Sequence, residues 1–234
     1  MLTFHGSVEL KAQRIAQVRA HRLADQLVHG QYWRDGKGCA IACTIHSGRH
    51  EDYEPELGIP VELAYEEDNI FESLPNGQSL MWPERFLEAI PVGVDLRATH
   101  VNKRYVLALL TDETRGWIRL IKGAESLKLA HEVVAHLKQR VREPSPTAAP
   151  EAVRRLAYRA FLVNLVDQVD LVDRADRACL DYRDYLAYLA GRAYDYLDDL
   201  DDDLDYRAEI LLEVLAASAP STSSASLAAA GERG

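Results

Sequence analysis

The residues best suited to chemistry gather in one run, GKGCAIACTIHSGRH, from Gly36 to His50. If a helix opens at Cys39, then Cys39, Cys43, His46 and His50 fall at i, i+4, i+7 and i+11, on one helix face. Three readings compete for them. Thiolates and imidazoles are the usual zinc ligands, and neighbours at i, i+3 or i, i+4 can share an ion. All four cannot share one. On a straight helix the first and last stand roughly 16 Å apart at 1.5 Å per residue, whereas zinc bonds are about 2.0–2.3 Å long. A zinc site would use a neighbouring pair such as Cys43 with His46, or bend at Gly48, and borrow from His5, His29 or His100.

The second reading is a thiol nucleophile. Cys39 follows Gly-Lys-Gly, and both a helix N-terminus and a nearby Lys37 lower a thiol pKa. A histidine close in space would serve as base. The third reading, which leads, is burial. Ala40, Ile41, Ala42 and Ile45 make the segment apolar, and free cysteine is among the most buried residue types. On that reading no cofactor is expected; zinc is the ion the first would bring. A phosphate cradle is disfavoured, because Cys39 follows Gly38 where a P-loop needs Lys-Ser or Lys-Thr, and no strand precedes it.

A second unusual run, YDYLDDLDDDLDY, spans Tyr194 to Tyr206. Leu197, Leu200 and Leu204 keep a helical stripe, which leaves a heavily acidic opposite face. Asp198, Asp199 and Asp202 match the D-D-x-x-D spacing by which prenyl-chain synthases hold magnesium and diphosphate, since hard cations prefer such oxygens. No second Asp-rich motif or basic diphosphate ligand accompanies it. The plain reading is a solvated helix face edged by tyrosines. The functional one is a binding surface made by Asp198, Asp199, Asp202, Tyr194 and Tyr196. Tyrosine favours interfaces, and an acidic face steers basic partners. Repulsion between aspartates one turn apart would favour a basic protein partner, a cation or self-association.

Elements that position these runs follow from periodicity. Apolar Ile15, Val18, Leu23, Leu27 and Val28 predict a helix from Val8 to His29, stopped at Gly30. Residues 31–38 read as a turn-rich loop, Cys39–His46 as a short buried helix, and 50–60 as a loop. Pro60 suits the start of a helix over Val61–Ser73, with Glu66, Glu67 and Asp68 expected on its solvent side. Pro75–Gly77 reads as a turn, and a helix follows over Gln78–Ile90, with Pro83 close to its start. From Asp95 to Val141 the helical period dominates, with breaks near 111–116 and Gly123. Tyr105–Leu110 and Trp117–Ile121 resemble strands but fit helices equally well.

The expected organisation is all-α. It comprises an irregular N-terminal helical module (1–142), a Pro-rich linker (143–150), an acidic helical hairpin (151–217) breaking near Gly191, and a disordered tail (218–234).

Composition agrees with a globular chain: 47% hydrophobic and 27% charged over 234 residues. The net charge of −10 disfavours direct binding to nucleic acid, which needs an excess of Lys and Arg. The acidity is concentrated after residue 150, where acidic side chains outnumber basic ones twofold up to 216. Three cysteines, two of them four apart, do not form a secreted disulfide framework. Met1–Gly6 show no signal-peptide pattern and no apolar run reaches membrane-spanning length, so a reduced cytoplasmic setting is expected.

The stretch from Lys11 to Leu96 resembles a group of bacterial and phage proteins with no established activity. The residues that carry the likeness are Tyr32-Trp33, Gly36 through Thr44 with His46, Glu56–Pro60, Asp68–Glu72 and Trp82–Ile90. Similar proteins end in a long Ala-rich helical region, whereas this chain is richer there in Asp and Tyr. The resemblance implies a shared N-terminal module of phage or mobile-element origin and no particular chemistry. The expectation drawn from all of this is a non-enzymatic helical binding protein. The alternative is a metalloprotein or thiol enzyme built on Cys39, Cys43, His46 and His50.

Overall fold

In the computed structural model the described residues are 1–120, 124–142 and 201–220. They are helical, and no strand occurs among them. Helix α1 (Val8–Leu23) starts where the Ser7 hydroxyl accepts the backbone N–H of Leu10, a side-chain N-cap. It ends six residues before the predicted stop at His29. At Asp25 the backbone turns left-handed (φ 53°). The next residues bond elsewhere: Val28 N–H donates to Gly38 O, and Gly38 N–H donates to Gln26 O. The apolar pair Leu27-Val28 fits an extended segment as well as a helix, and partners distant in sequence chose the former.

Between these bonded ends the chain forms a small hairpin. Arg34 and Lys37 exchange both backbone hydrogen bonds across Asp35-Gly36, and both central residues have positive φ (52° and 77°). Asp-Gly is the dipeptide that a type I′ turn requires. The hairpin delivers the chain to helix α2 (Ala40–Ile45), which closes on a left-handed His46.

The expected loop 50–60 holds structure instead: a 3-10 turn (His50–Asp52) running into helix α3 (Tyr53–Leu57). Tyr53 and Leu57 lie one turn apart and are fully buried, and Gly58 supplies the left-handed stop (φ 66°). Pro55 stands in the first turn, where its missing N–H costs nothing. A Cβ at Gly58 would also lie 2.0 Å from the carbonyl oxygen of Leu2. Helix α4 (Val61–Ser73) matches its predicted bounds. A single turn, α5 (Asn76–Ser79), precedes α6 (Trp82–Ala89), which has Pro83 in its first turn. Lys11 donates to the carbonyls of Glu88 (2.8 Å) and Ile90 (2.6 Å), tying α1 to the end of α6. Glu84 of α6 is clamped by Arg19 (2.7 Å) and Arg22 (2.6 Å) of α1.

The core of this unit contains Phe4, Ile41, Tyr53, Phe71, Trp82 and Phe86. Its last wall comes from the far end of the chain. Helix α9 (Asp201–Ala216) buries Tyr206, Ile210, Leu211 and Leu215, and is fixed by Arg207–Glu66 (2.6 Å) and Glu209–Arg85 (2.7 Å). The chain accordingly divides into two compact units, one uniting Met1–Val101 with the residues from Asp203 on, the other covering Asn102–Asp202. In the second, helices α7 (Val101–Thr111) and α8 (Ala124–Arg142) flank a 3-10 turn over Trp117–Leu120, so both strand-like runs are helical where described. The break after α7 is an Asx turn: the Asp112 carboxylate accepts the N–H groups of Thr114 and Arg115.

The linker at 143–150, the break near Gly191, and Tyr194, Tyr196, Asp198 and Asp199 lie outside the described residues. Asp202 lies in the first turn of α9. Of the expected tail, Ser218 is buried, with its hydroxyl donating to Val214 O (2.8 Å), and 221–234 lie outside the described residues. No helix among the described residues is long and apolar enough to cross a membrane.

Candidate functional site

Helix α2 holds the cysteines, and every one of its residues is buried. It fits there because Gly38 has no side chain: a Cβ would come within 2.5 Å of the Ala42 Cβ and 3.3 Å of the Trp33 backbone. Its last carbonyls are satisfied by α1, since Gln17 Nε2 donates to both Cys43 O and Thr44 O at 2.8 Å.

The Cys43 thiol is enclosed and donates weakly to Gly38 O (3.4 Å) and Gln26 O (3.6 Å). Burial pushes its pKa up to about 12. Cys39 is 2% exposed, and its pKa is raised further, by burial first and then by the charge and hydrogen bond of Asp68. A six-residue helix and the exposed Lys37 do not outweigh desolvation and an adjacent carboxylate. Both thiols are held protonated in this fold.

The four residues expected on one face are divided among three environments. His46 ends α2 in a left-handed turn, so the helical register is lost before His50. His50 swings to α4, where Nε2 lies 3.0 Å from Asp68 Oδ2. Its ring stacks on Tyr65 (4.7 Å, 10°) and meets Tyr32 edge-on (5.8 Å). Asp68 therefore stands between Cys39 and His50. His46 turns to α1, with its Nε2 2.8 Å from Nε2 of His21 and its ring stacked on Trp33 (4.5 Å, 20°). The other histidines weighed as ligands are placed elsewhere: His29 bonds Ser79 Oγ (2.9 Å), and His5 bonds Pro55 O (3.1 Å).

Sequence reasoning missed the acidic residues of α4. Glu67, expected in solvent, is fully buried, and the Tyr53 hydroxyl donates to its Oε2 at 2.7 Å. Burial raises the Glu67 pKa well above the carboxylate range, and the charge of Asp68 adds to this against the Tyr53 hydrogen bond. Glu66 pairs with Arg207, and Asp68 is half-buried. A helix that buries only one stripe leaves all three acids in solvent. Instead α4 is covered from several sides, by α2, α6 and the turn at His50–Asp52, with α9 reaching Glu66. The one available signal was the aromatic Tyr53, whose hydroxyl needs a partner once buried.

Among the described residues no group of three or more His, Cys, Asp or Glu is arranged to hold a metal ion. Burial favours the protonated forms of Glu67, Cys39 and Cys43, and the ring nitrogens of His21 and His46 meet at 2.8 Å. Comparison with known proteins supplies no further identity: no family model, no curated protein and no solved structure matches the chain.

Proposed function

We propose that this chain is a non-enzymatic helical binding protein of phage or mobile-element origin, which recognises a basic protein partner or a second copy of itself. The observation that carries this reading is that the two described thiols and Glu67 are spent inside the fold. Both described thiols are buried and protonated, and Glu67 is occupied by Tyr53. Large rings remain outside: Tyr32 is 61% exposed and Tyr65 45%, on either side of His50. The acidic run adds to it. Arg192 and Arg207 are the basic residues nearest in sequence to Asp198–Asp203. The binding surface we assign is Asp198, Asp199, Asp202, Tyr194 and Tyr196.

Reversing charge at Asp198, Asp199 and Asp202 together to Lys is expected to weaken self-association, or binding of an oligolysine peptide, by about tenfold or more at low salt. Sedimentation velocity and a peptide titration read the two effects. Unchanged assembly and unchanged peptide binding would overturn the assignment.

The alternative is a metalloprotein or thiol enzyme on Cys39, Cys43, His46 and His50; of these, Asp68 links Cys39 and His50 through its carboxylate. The two readings part on a simple measurement. On the first, thiol labelling of the native protein at pH 7 is slow at Cys39 and Cys43 and becomes fast only on unfolding. On the second, elemental analysis of untagged protein finds one zinc per chain, lost in Cys39→Ala.

A further inference from the structure

We propose that His21, His46 and Trp33 form an acid-released latch that holds the 26–38 hairpin against α1 and α2. The two imidazoles meet nitrogen to nitrogen at 2.8 Å, with ring centroids 5.0 Å apart and planes at 87°. That centroid distance nearly equals the gap plus the two centre-to-nitrogen radii, so the rings point straight at each other. Nitrogens sharing a metal would instead converge on a third point about 2.0–2.1 Å from each. The contact is a hydrogen bond with one proton in it.

Its direction follows from the neighbours. Gln26 Oε1 lies 2.7 Å from Nδ1 of His21, so that nitrogen carries a proton and donates. Nε2 of His21 then accepts, and Nε2–H of His46 donates. A first added proton goes to Nδ1 of His46, an exposed residue, and leaves the bond intact as imidazolium to imidazole. A second must take the lone pair of Nε2 of His21. Two N–H groups would then face each other at hydrogen-bond distance, each on a cation, and the pair must part.

Parting has a structural consequence because Trp33 sits on both rings, stacked on His46 and edge-on to His21 (5.5 Å). Trp33 is a hairpin residue, and next to it Tyr32 lies exposed against His50. Release of the latch frees Trp33 and shifts Tyr32. The charges that bear on His46 come from α1: His21 and Arg14, the latter paired with Glu56 of α3 at 3.3 Å. The hairpin meets His46 with the uncharged indole. Partial desolvation at the ring, His21 and Arg14 all favour the neutral imidazole of His46.

The test is an NMR titration of the full chain from pH 8 to 4.5, following imidazole Cε1–H, the Trp33 indole N–H and the backbone amides of the 26–38 hairpin. The pair is expected to take up its two protons in steps at least about tenfold apart in affinity; the first, on the ring stacked on Trp33, shifts the indole resonance locally, and the hairpin amides move only with the second. His46→Asn keeps a residue that tolerates the left-handed backbone, and His21→Gln keeps a polar group on α1; in each the acid-dependent shift of the hairpin amides should vanish. A single unsplit titration in the native protein, or hairpin amide shifts unchanged in both variants, would overturn the latch.

Discussion

Trp82→Ala is expected to destabilise the protein by about 3–5 kcal/mol, the range for removing a fully enclosed large aromatic. The ring has no solvent exposure, lies 5.8 Å from the ring of Phe86, and donates its indole N–H to Glu67 O at 3.0 Å. That carbonyl is inside α4 and is also a helical acceptor, so losing the indole does not orphan it. The cost comes from the cavity at the junction of α4 and α6. Against a typical total of about 5–15 kcal/mol, such a loss takes a large share of the stability. Trp82→Phe fills most of the space and should cost about 1–2 kcal/mol for the lost N–H bond and residual void. Denaturant melts of the three proteins give the comparison. A Trp82→Ala penalty below about 1 kcal/mol would mean that this junction is not the centre of the core.

Glu67→Gln should make the protein more stable at neutral pH. Burial raises the Glu67 pKa in the folded state, so the folded chain holds a proton that the unfolded chain releases. Between the ordinary carboxylate value, 4.5, and the raised folded value, the folded state binds more protons. Stability therefore falls as pH rises through that window, by about 1.4 kcal/mol per pH unit for one group. Glutamine removes the dependence. Its carbonyl still accepts from the Tyr53 hydroxyl, and its amide takes the place of Oε1, which has no hydrogen-bond partner. The native and variant curves should meet near pH 4 and separate steadily above it, in urea midpoints taken from pH 4 to 8. Parallel curves would show that Glu67 is ionised in the fold.

On the acid side the sign is reversed. His46 has a lowered folded pKa, so below the ordinary histidine value of 6.5 the unfolded chain takes up the proton first and stability falls with pH. The two groups therefore oppose each other, which gives the acid limb of Glu67→Gln a reason to steepen.

Local pattern was legible where one partner decided the outcome. Val61–Ser73 emerged with its bounds because Pro60 sets its start and the apolar stripe of Leu63, Ile70 and Phe71 sets its face. The burial of Cys39 and Cys43 followed from the apolar residues around them. Val8–His29 was overextended because Leu27 and Val28 satisfy helical spacing and an extended pairing alike, and Gly38 settled the matter. Tyr53–Leu57 hid inside an acidic, Pro-containing run, since five residues are too few to show a period. The face shared by Cys39, Cys43, His46 and His50 assumed eleven unbroken helical residues, and one left-handed residue at His46 ended it.

The sequence by itself determined the helical character of the described residues, the short apolar segment around the cysteines, the turn-rich loop before it and the concentration of acid near the C-terminus. These depend on residues within a turn or two of each other, where spacing alone fixes which side chains coincide. Only the tertiary structure decided that Asp68 would meet both Cys39 and His50, that Glu67 would be buried against Tyr53, and that Arg207 would find Glu66 from the other end of the chain. Each of those depends on how helices cross, and the crossing is set by the summed burial of residues far apart. A carboxylate's spacing within its own helix carries no record of what another helix will place against it.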